Sequence, residues 1–200
     1  MRFLGLAFLF TVVRAFAQTH LEARPTEEVP FVVTPPHVVE RMLQLAEVKP
    51  TDRLVDLGSG DGRIVIAAAQ RGAFGRGLEI DDSLVKLSKE SAKTLGVESR
   101  TQFLNQDIFE ANYSEYSVVT MYLLPEFNLK LRPKLLKELK PGARIVSHEW
   151  DMGDWSADEL LSVRAPTKPL GNDKAHRVYL WIVPAHIAGS WQVEDRKSVV

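Results

Sequence analysis

The sequence contains no cysteine, and this absence excludes several kinds of chemistry at once. The protein can form no disulfide, has no thiol nucleophile and has no thiolate ligand for a metal. An excess of positive charge is missing too, because 25 lysines and arginines stand against 26 aspartates and glutamates. A general nucleic-acid-binding protein usually carries a basic face, so we expect no nucleic-acid partner.

The histidines lack the close spacing that is typical of a metal site. Apart from the histidine at residue 148, they are scattered along the chain without the spacing of metal ligands. From spacing alone we therefore predict no metal. The scattered positions are His20, His37, His176 and His186.

The first seventeen residues differ from the rest of the chain. Arg2 precedes an apolar run from Phe3 to Val13, and Ala15-Phe16-Ala17 follows. This order is typical of a secretory signal peptide that is cleaved after Ala17. The run is shorter than the roughly 20 residues that cross a bilayer as a helix. An uncleaved membrane-associated or import segment and a buried N-terminal helix are the alternatives.

Residues 18–30 are polar and contain two prolines, so we predict a linker there and one domain over residues 31–200. Within this domain, strand patterns at 53–57, 75–80, 100–105, 116–123 and 143–147 alternate with helical patterns. We expect Thr34 to cap the first helix, Asp82 or Ser83 to cap the third, and Pro133 to interrupt the fourth. Leu87 and Leu95 are expected to be buried.

The alternation of strands and helices predicts an α/β fold with a mainly parallel sheet and helices on both faces. The end of the chain differs, because residues 159–165 and 177–183 have strand patterns with no helix between them. Two strands joined by a loop form an antiparallel pair. We expect that pair at one edge of the sheet.

The most informative stretch joins the first strand to the following helix. It contains glycines at 58, 60 and 62, which let a ligand approach bare backbone at the N-terminus of a helix. Dinucleotide enzymes also use glycine-rich turns. Their fingerprint needs its third glycine further along the chain than Gly62, where Arg63 and Ile64 stand here. The turn by itself does not identify the ligand.

Three acidic residues at or just after strand ends narrow the choice. Asp56 suits a ligand amine, Glu79 can accept both ribose hydroxyls, and Asp107 can accept a hydrogen bond from an adenine amine. Ligands of open α/β sheets bind at the carboxyl ends of the strands. An amine, a ribose and an adenine without phosphates together indicate S-adenosylmethionine.

The sequence resembles a class I S-adenosylmethionine-dependent methyltransferase. More narrowly, it resembles the lysine N-methyltransferases of the ATP synthase c-subunit and the adenine nucleotide translocase, with their bacterial relatives. The resemblance rests on residues 30–34 and 54–69, together with Asp107, Pro125 and Trp155. It implies a Rossmann-like sheet of seven strands with a reversed C-terminal hairpin. It also implies methyl transfer to a lysine of a protein, membrane-embedded as in the resembled family. The stretch from Ser147 to Gly153 departs from the mitochondrial members, which leaves the acceptor open.

The predicted site has a cofactor side and an acceptor side. Catalytic candidates are Tyr122, His148 and Asp151, with Glu149 as a further group that could bind or deprotonate an amine. An aromatic channel could also lower the pKa of a lysine acceptor, and its candidate lining residues are Phe31, Tyr122, Trp150 and Trp155. The predicted cofactor-binding residues are Phe31, Thr34, Asp56, Gly58, Ser59, Gly60, Gly62, Glu79, Ile80, Asp107 and Ile108.

Two other functions fit these residues: a small-molecule methyltransferase, and a module that binds S-adenosylmethionine without catalysis. Export to the periplasm conflicts with the cytoplasmic supply of this cofactor. Association with the cytoplasmic face of a membrane through residues 3–13 is the alternative that removes this conflict.

Overall fold

A computed structural model describes residues 32–164 and 175–185. The predicted leader and linker, together with Phe31, lie outside the described residues. No helix within these two ranges is long and apolar enough to cross a membrane.

Four α-helices and seven strands make up the described part of the chain. The helices are α1 Pro36–Leu45, α2 Arg63–Gln70, α3 Asp82–Thr94 and α4 Pro125–Glu138. The strands are β1 Arg53–Leu57, β2 Phe74–Glu79, β3 Thr101–Asn105, β4 Val118–Met121, β5 Arg144–His148, β6 Glu159–Arg164 and β7 Ala175–Ile182.

The strands form one sheet in the order β3-β2-β1-β4-β5-β7-β6. The first five strands are parallel, whereas β7 runs antiparallel to both β5 and β6. The predicted sheet and its antiparallel C-terminal pair are therefore confirmed. Of that pair, β7 is the inner strand and β6 forms the edge.

Helices pack on both faces of the sheet. Side chains alternate between the two faces along each strand, so each strand contributes to both packed layers. On β1, Leu54 packs with α1 and α2 on one face, while Val55 and Leu57 pack with α4 on the other. Asp52 lies just before the first residue of β1. Its carboxylate accepts hydrogen bonds from the Lys49 N–H and the Ser117 hydroxyl and forms an ion pair with Arg144. Burial alone raises the pKa of Asp52, but these partners outweigh it and hold the pKa below its ordinary value.

Four local predictions are wrong. Pro35, not Thr34, caps α1, and the Thr34 hydroxyl contacts His148 instead. Asp81 caps α3, because its carboxylate accepts from the N–H groups of Ser83 and Leu84. Leu87 and Leu95 are exposed, since the buried stripe of α3 consists of Val85, Ser88 and Ala92. The helix α4 continues through Pro133 on its exposed face, where water can solvate the carbonyl left without a partner.

Candidate active site

The three predicted acids lie at the carboxyl edge of the sheet. Their strands are neighbours and run parallel, with Leu57 beside Leu78 and Glu79 beside Asn105. Asp56 and Glu79 are buried, and Asp107 is half-buried two residues beyond the end of β3. Residues that are far apart along the chain thus contribute to one surface.

Glu79 is held by backbone N–H groups on both of its carboxylate oxygens. Its Oε2 accepts from Gly60 N–H at 2.8 Å, which ties the carboxylate to the glycine turn. Its Oε1 accepts from the N–H groups of Ile80 and Asp81 at 2.8 and 3.0 Å. The carboxylate is therefore oriented before any ligand arrives.

Asp56 is buried, and its carboxyl accepts a hydrogen bond from a neutral hydroxyl. Such a bond compensates the negative charge of an ionised carboxylate only weakly. The Thr120 hydroxyl donates to its Oδ1 at 2.7 Å. Burial raises the pKa of Asp56 to about 8, and the negative charges of Glu79 and Asp61 add to this effect. A cationic amine beside Asp56 would lower that pKa by compensating the buried charge.

The turn between β1 and α2 lies directly over the end of β2. The N–H groups of Gly58 and Ser59 both donate to Leu78 O, at 2.9 and 3.0 Å. Gly58 has φ +70°, and an added Cβ there would lie 2.9 Å from Leu123 Cδ2. Gly62 has φ +79° and is the N-cap of α2. Because α2 starts just after the carboxyl end of β1, its positive end lies at the same edge as the acids.

The other predicted cofactor residues surround this turn. The Ser59 side chain is buried, and its hydroxyl has no hydrogen-bond partner among the described residues. Thr34 is held on two sides, by Arg63 Nη1 donating to its carbonyl and by His148 at its hydroxyl. The Ile80 side chain is 71% exposed, whereas Ile108 is half-buried against the core. Gly60 adopts φ +54° between the two other glycines.

On the acceptor side, the predicted catalytic residues occupy three different environments. Tyr122 is partly buried, and its ring centroid lies 4.0 Å from that of His148. Burial raises the pKa of the Tyr122 hydroxyl, and the negative charge of Glu149 raises it further. Asp151 is exposed, and its Oδ1 accepts from Gly153 N–H in a tight turn.

His148 is fully buried, and both of its ring nitrogens have protein partners. Its Nδ1 lies 3.0 Å from Thr34 Oγ1, and its Nε2 lies 2.9 Å from His176 Nδ1. We did not expect His176 here, because it lies on β7, far from the other site residues along the chain. The strand pattern of β7 would have placed it only if the pairing with β5 had been known.

The aromatic residues proposed for an acceptor channel also separate. Trp150 is 38% exposed just after β5. Trp155 instead packs against Trp181, with ring centroids 6.0 Å apart, beside the hydrophobic core. Tyr122 and Trp150 therefore remain the described candidates for the channel.

Known proteins resemble this chain in sequence. The family model described as the ANTKMT methyltransferase domain matches residues 56–159. The chain belongs to this methyltransferase family. Its relatives include a Saccharolobus islandicus protein-lysine N-methyltransferase, 41% identical over 79% of this chain and 96% of the relative. The human lysine N-methyltransferase of the ATP synthase c-subunit is 34% identical over 66% of this chain and 56% of its own length.

A solved structure shares both fold and sequence. The Salinibacter ruber protein, described as an RNA methyltransferase in complex with S-adenosyl-L-homocysteine, is 47% identical. The match has a TM-score of 0.71 and covers 81% of this chain and all of that chain. The family fold is thus the class I methyltransferase fold, and the cofactor is S-adenosylmethionine.

The residues of this chain fit that cofactor. The buried Asp56 carboxyl offers the counter-charge for an amine, and the fixed Glu79 carboxylate suits a ribose diol. The turn needs glycine at 58, because φ is positive there and an added Cβ would lie 2.9 Å from Leu123 Cδ2. When bound, the cofactor supplies an activated methyl group on a sulfonium.

Proposed function

We propose that this methyltransferase modifies the side-chain amine of a lysine in a protein. The observation that carries the proposal is the similarity to the Saccharolobus islandicus enzyme, which extends over nearly the whole of that protein-lysine N-methyltransferase. The near-zero net charge adds support, because an enzyme acting on RNA usually presents a basic face.

The acceptor side must supply a neutral amine. A free lysine has a pKa of about 10.4, so an uncharged lysine is rare at neutral pH. Removal from water beside the partly buried Tyr122 and the aromatic ring of Trp150 would lower that pKa. The raised pKa of Tyr122 keeps its hydroxyl protonated, so Tyr122 can hydrogen-bond the amine but is a poor base.

We assign His148 a positioning role in this reaction. Both ring nitrogens already have partners, and the side chain is fully buried. Through Thr34 Oγ1 it holds the segment that precedes α1, and through its ring it supports Tyr122. Asp151 lies in an exposed turn and is proposed to contact the protein substrate, not the reacting amine.

The test is methyl transfer from labelled S-adenosylmethionine to soluble and membrane fractions, followed by mass spectrometry of the labelled bands. We expect methyllysine in a protein band, absent with Glu79→Ala, which lacks the carboxylate expected at the ribose. Label that ribonuclease removes would favour an RNA acceptor, as the description of the Salinibacter ruber protein suggests. Label only in small solutes would favour the small-molecule alternative. Either result would refute the proposal.

We further propose that residues 3–13 keep the enzyme at the cytoplasmic face of a membrane, close to the cofactor supply. The support is the apolar run itself, which follows Arg2. Fractionation of cells and N-terminal sequencing of the native protein test this. An intact N-terminus in the membrane fraction is expected, and a mature protein that starts at Gln18 would contradict it.

A further inference from the structure

Three buried side chains converge beside the acceptor end of the site, where the ends of β5 and β7 meet. His148, Glu149 and His176 are each at most 5% exposed. His148 Nε2 lies 2.9 Å from His176 Nδ1, which lies 2.8 Å from Glu149 Oε1. The third edge, from His148 Nε2 to Glu149 Oε1, measures 3.5 Å. The three atoms thus form a compact triangle of two nitrogens and one oxygen.

Hydrogen bonds between these three side chains account poorly for the short distances. His176 Nδ1 carries at most one hydrogen, yet it lies within 3 Å of both other atoms. A single hydrogen could serve both neighbours only as a bifurcated bond. A triangle of this size, however, allows one cation to lie about 2 Å from all three atoms, which is the length of zinc–nitrogen and zinc–oxygen bonds.

The surroundings orient the three side chains toward one another. A metal-binding histidine usually donates its second ring N–H to a neighbouring acceptor, and His148 Nδ1 lies 3.0 Å from Thr34 Oγ1. Glu149 has φ +69°, a strained conformation for a residue with a side chain. Trp150 N–H donates to His148 O around this turn, and Glu149 N–H donates to Arg177 O. The strained turn directs the Glu149 carboxylate inward, to where the two imidazoles meet.

We propose that His148 Nε2, His176 Nδ1 and Glu149 Oε1 bind a divalent transition-metal ion, with zinc best suited to this donor set. Two neutral imidazoles and one carboxylate are common ligands of zinc, whereas magnesium and calcium prefer oxygen alone. The ion would join the ends of β5 and β7 next to Tyr122. Spacing along the sequence could not predict this site, because the antiparallel pairing of His148 with Val178 brings His176 close. The proposal does not rest on the identity of the methyl acceptor.

The test uses untagged, full-length protein stripped with a chelator and titrated with zinc against a chromophoric competitor. We expect one zinc per chain in the wild type. His176→Gln and Glu149→Gln each remove one ligand and should weaken zinc binding by at least about 100-fold. His37→Gln is the matched control, because His37 is exposed and its ring lies 6.1 Å from that of His176.

Cobalt supplies a readout that needs no variant. Cobalt in the wild-type protein should show the intense visible bands of a low-coordinate nitrogen and oxygen site, and equimolar zinc should abolish them. S-adenosylhomocysteine binding confirms that each variant has folded, and a variant that fails this check leaves the wild-type cobalt spectrum to decide. Absence of both stoichiometric zinc and cobalt bands would overturn the proposal. Equal zinc affinity in the wild type and all folded variants would also overturn it, because the ion would then bind elsewhere.

Discussion

At the scale of single residues, Asp56 shows how a binding site can cost stability. Its carboxyl is 2% exposed, and its ionised form is disfavoured until a positive charge arrives. Glu79 is the opposite case, because three backbone N–H groups hold its carboxylate in place. One acid therefore waits for its counter-charge, while the other is organised in advance.

Asp56→Asn should weaken S-adenosylhomocysteine binding and remove its pH dependence. With a pKa of about 8, Asp56 in the free protein must lose a proton to face the ligand amine. Wild-type affinity should rise by up to about tenfold per pH unit between roughly pH 5.5 and 7.5, whereas the variant stays flat. Isothermal calorimetry across this range measures both. Identical profiles for the two proteins would exclude Asp56 as the group that faces the amine.

The same substitution should stabilise the ligand-free protein at neutral pH. Because the folded pKa of Asp56 is raised, its contribution to stability is full below the unfolded pKa of about 3.9 and is lost as pH rises toward 8. Asparagine carries no charge and can still accept from Thr120. In denaturant unfolding at pH 7, the free energy of unfolding of Asp56→Asn should exceed that of the wild type by on the order of 2 kcal/mol. At pH 4 the two proteins should be equally stable.

Glu79→Gln should lower S-adenosylhomocysteine affinity by about tenfold or more, since hydrogen bonds to a charged group contribute roughly 1.5–3 kcal/mol. The new amide also cannot accept from backbone N–H groups on both sides. Glu90→Gln, on the exposed face of α3, is the matched control and should bind normally. Similar losses in both variants would show that the effect is not specific to the site.

At the scale of elements, the position of the glycine turn depends on close contact with β2. A Cβ added at Gly77 would lie 2.5 Å from Ser59 Oγ and 2.7 Å from Phe103 Cδ1. Ser59 cannot move away from this Cβ at low energetic cost, because it belongs to the turn. The strand thus needs a bare backbone here so that the turn can approach it.

Gly77→Ala should reduce the free energy of unfolding by about 1–3 kcal/mol through overpacking, and should weaken S-adenosylhomocysteine binding as well. Ser59→Gly in the same chain should restore part of both losses, because it removes the contacting atoms. Gly96→Ala is the control: its φ is +69°, but no atom lies within 4 Å of the added Cβ. The free energy of unfolding of Gly96→Ala should fall by about 1–2 kcal/mol because of backbone strain, while ligand binding stays normal. If Gly77→Ala binds normally too, the contact with Ser59 does not position the turn.

At the scale of the whole molecule, ligand binding at the sheet edge should stabilise the entire domain. The acids and the turn lie at the ends of β1, β2 and β3, which are three adjacent strands of the seven-stranded sheet. S-adenosylhomocysteine at about 100 times its Kd should add roughly 2.7 kcal/mol. For a domain of this size, the Tm should rise by about 5–10 °C.

Scanning calorimetry or fluorescence measures this shift. Adenosine lacks the amine that Asp56 is expected to face, so at equal concentration it should stabilise less. An equal shift with adenosine would mean that the amine contributes nothing to binding.

Local chemistry determined much of this protein from sequence alone. Apolar runs predicted the strands, and the antiparallel C-terminal pair followed from two strand patterns without an intervening helix. Glycines 58 and 62 predicted the turn, because few other residues adopt its backbone angles. Asp56, Glu79 and Asp107 could be placed at one edge, because parallel strands all end on the same side of the sheet.

Only the tertiary structure decided which distant side chains meet. Thr34 had the pattern of a helix cap, yet its hydroxyl contacts His148 across 114 residues of sequence. His176 entered the site because β7 inserts between β5 and β6, a choice of strand order that local patterns do not encode. Strand and turn propensities act between near neighbours, whereas strand order is selected by the packing of the complete sheet. The position of the three acids at one edge could therefore be predicted from sequence, and the His148–Glu149–His176 cluster could not.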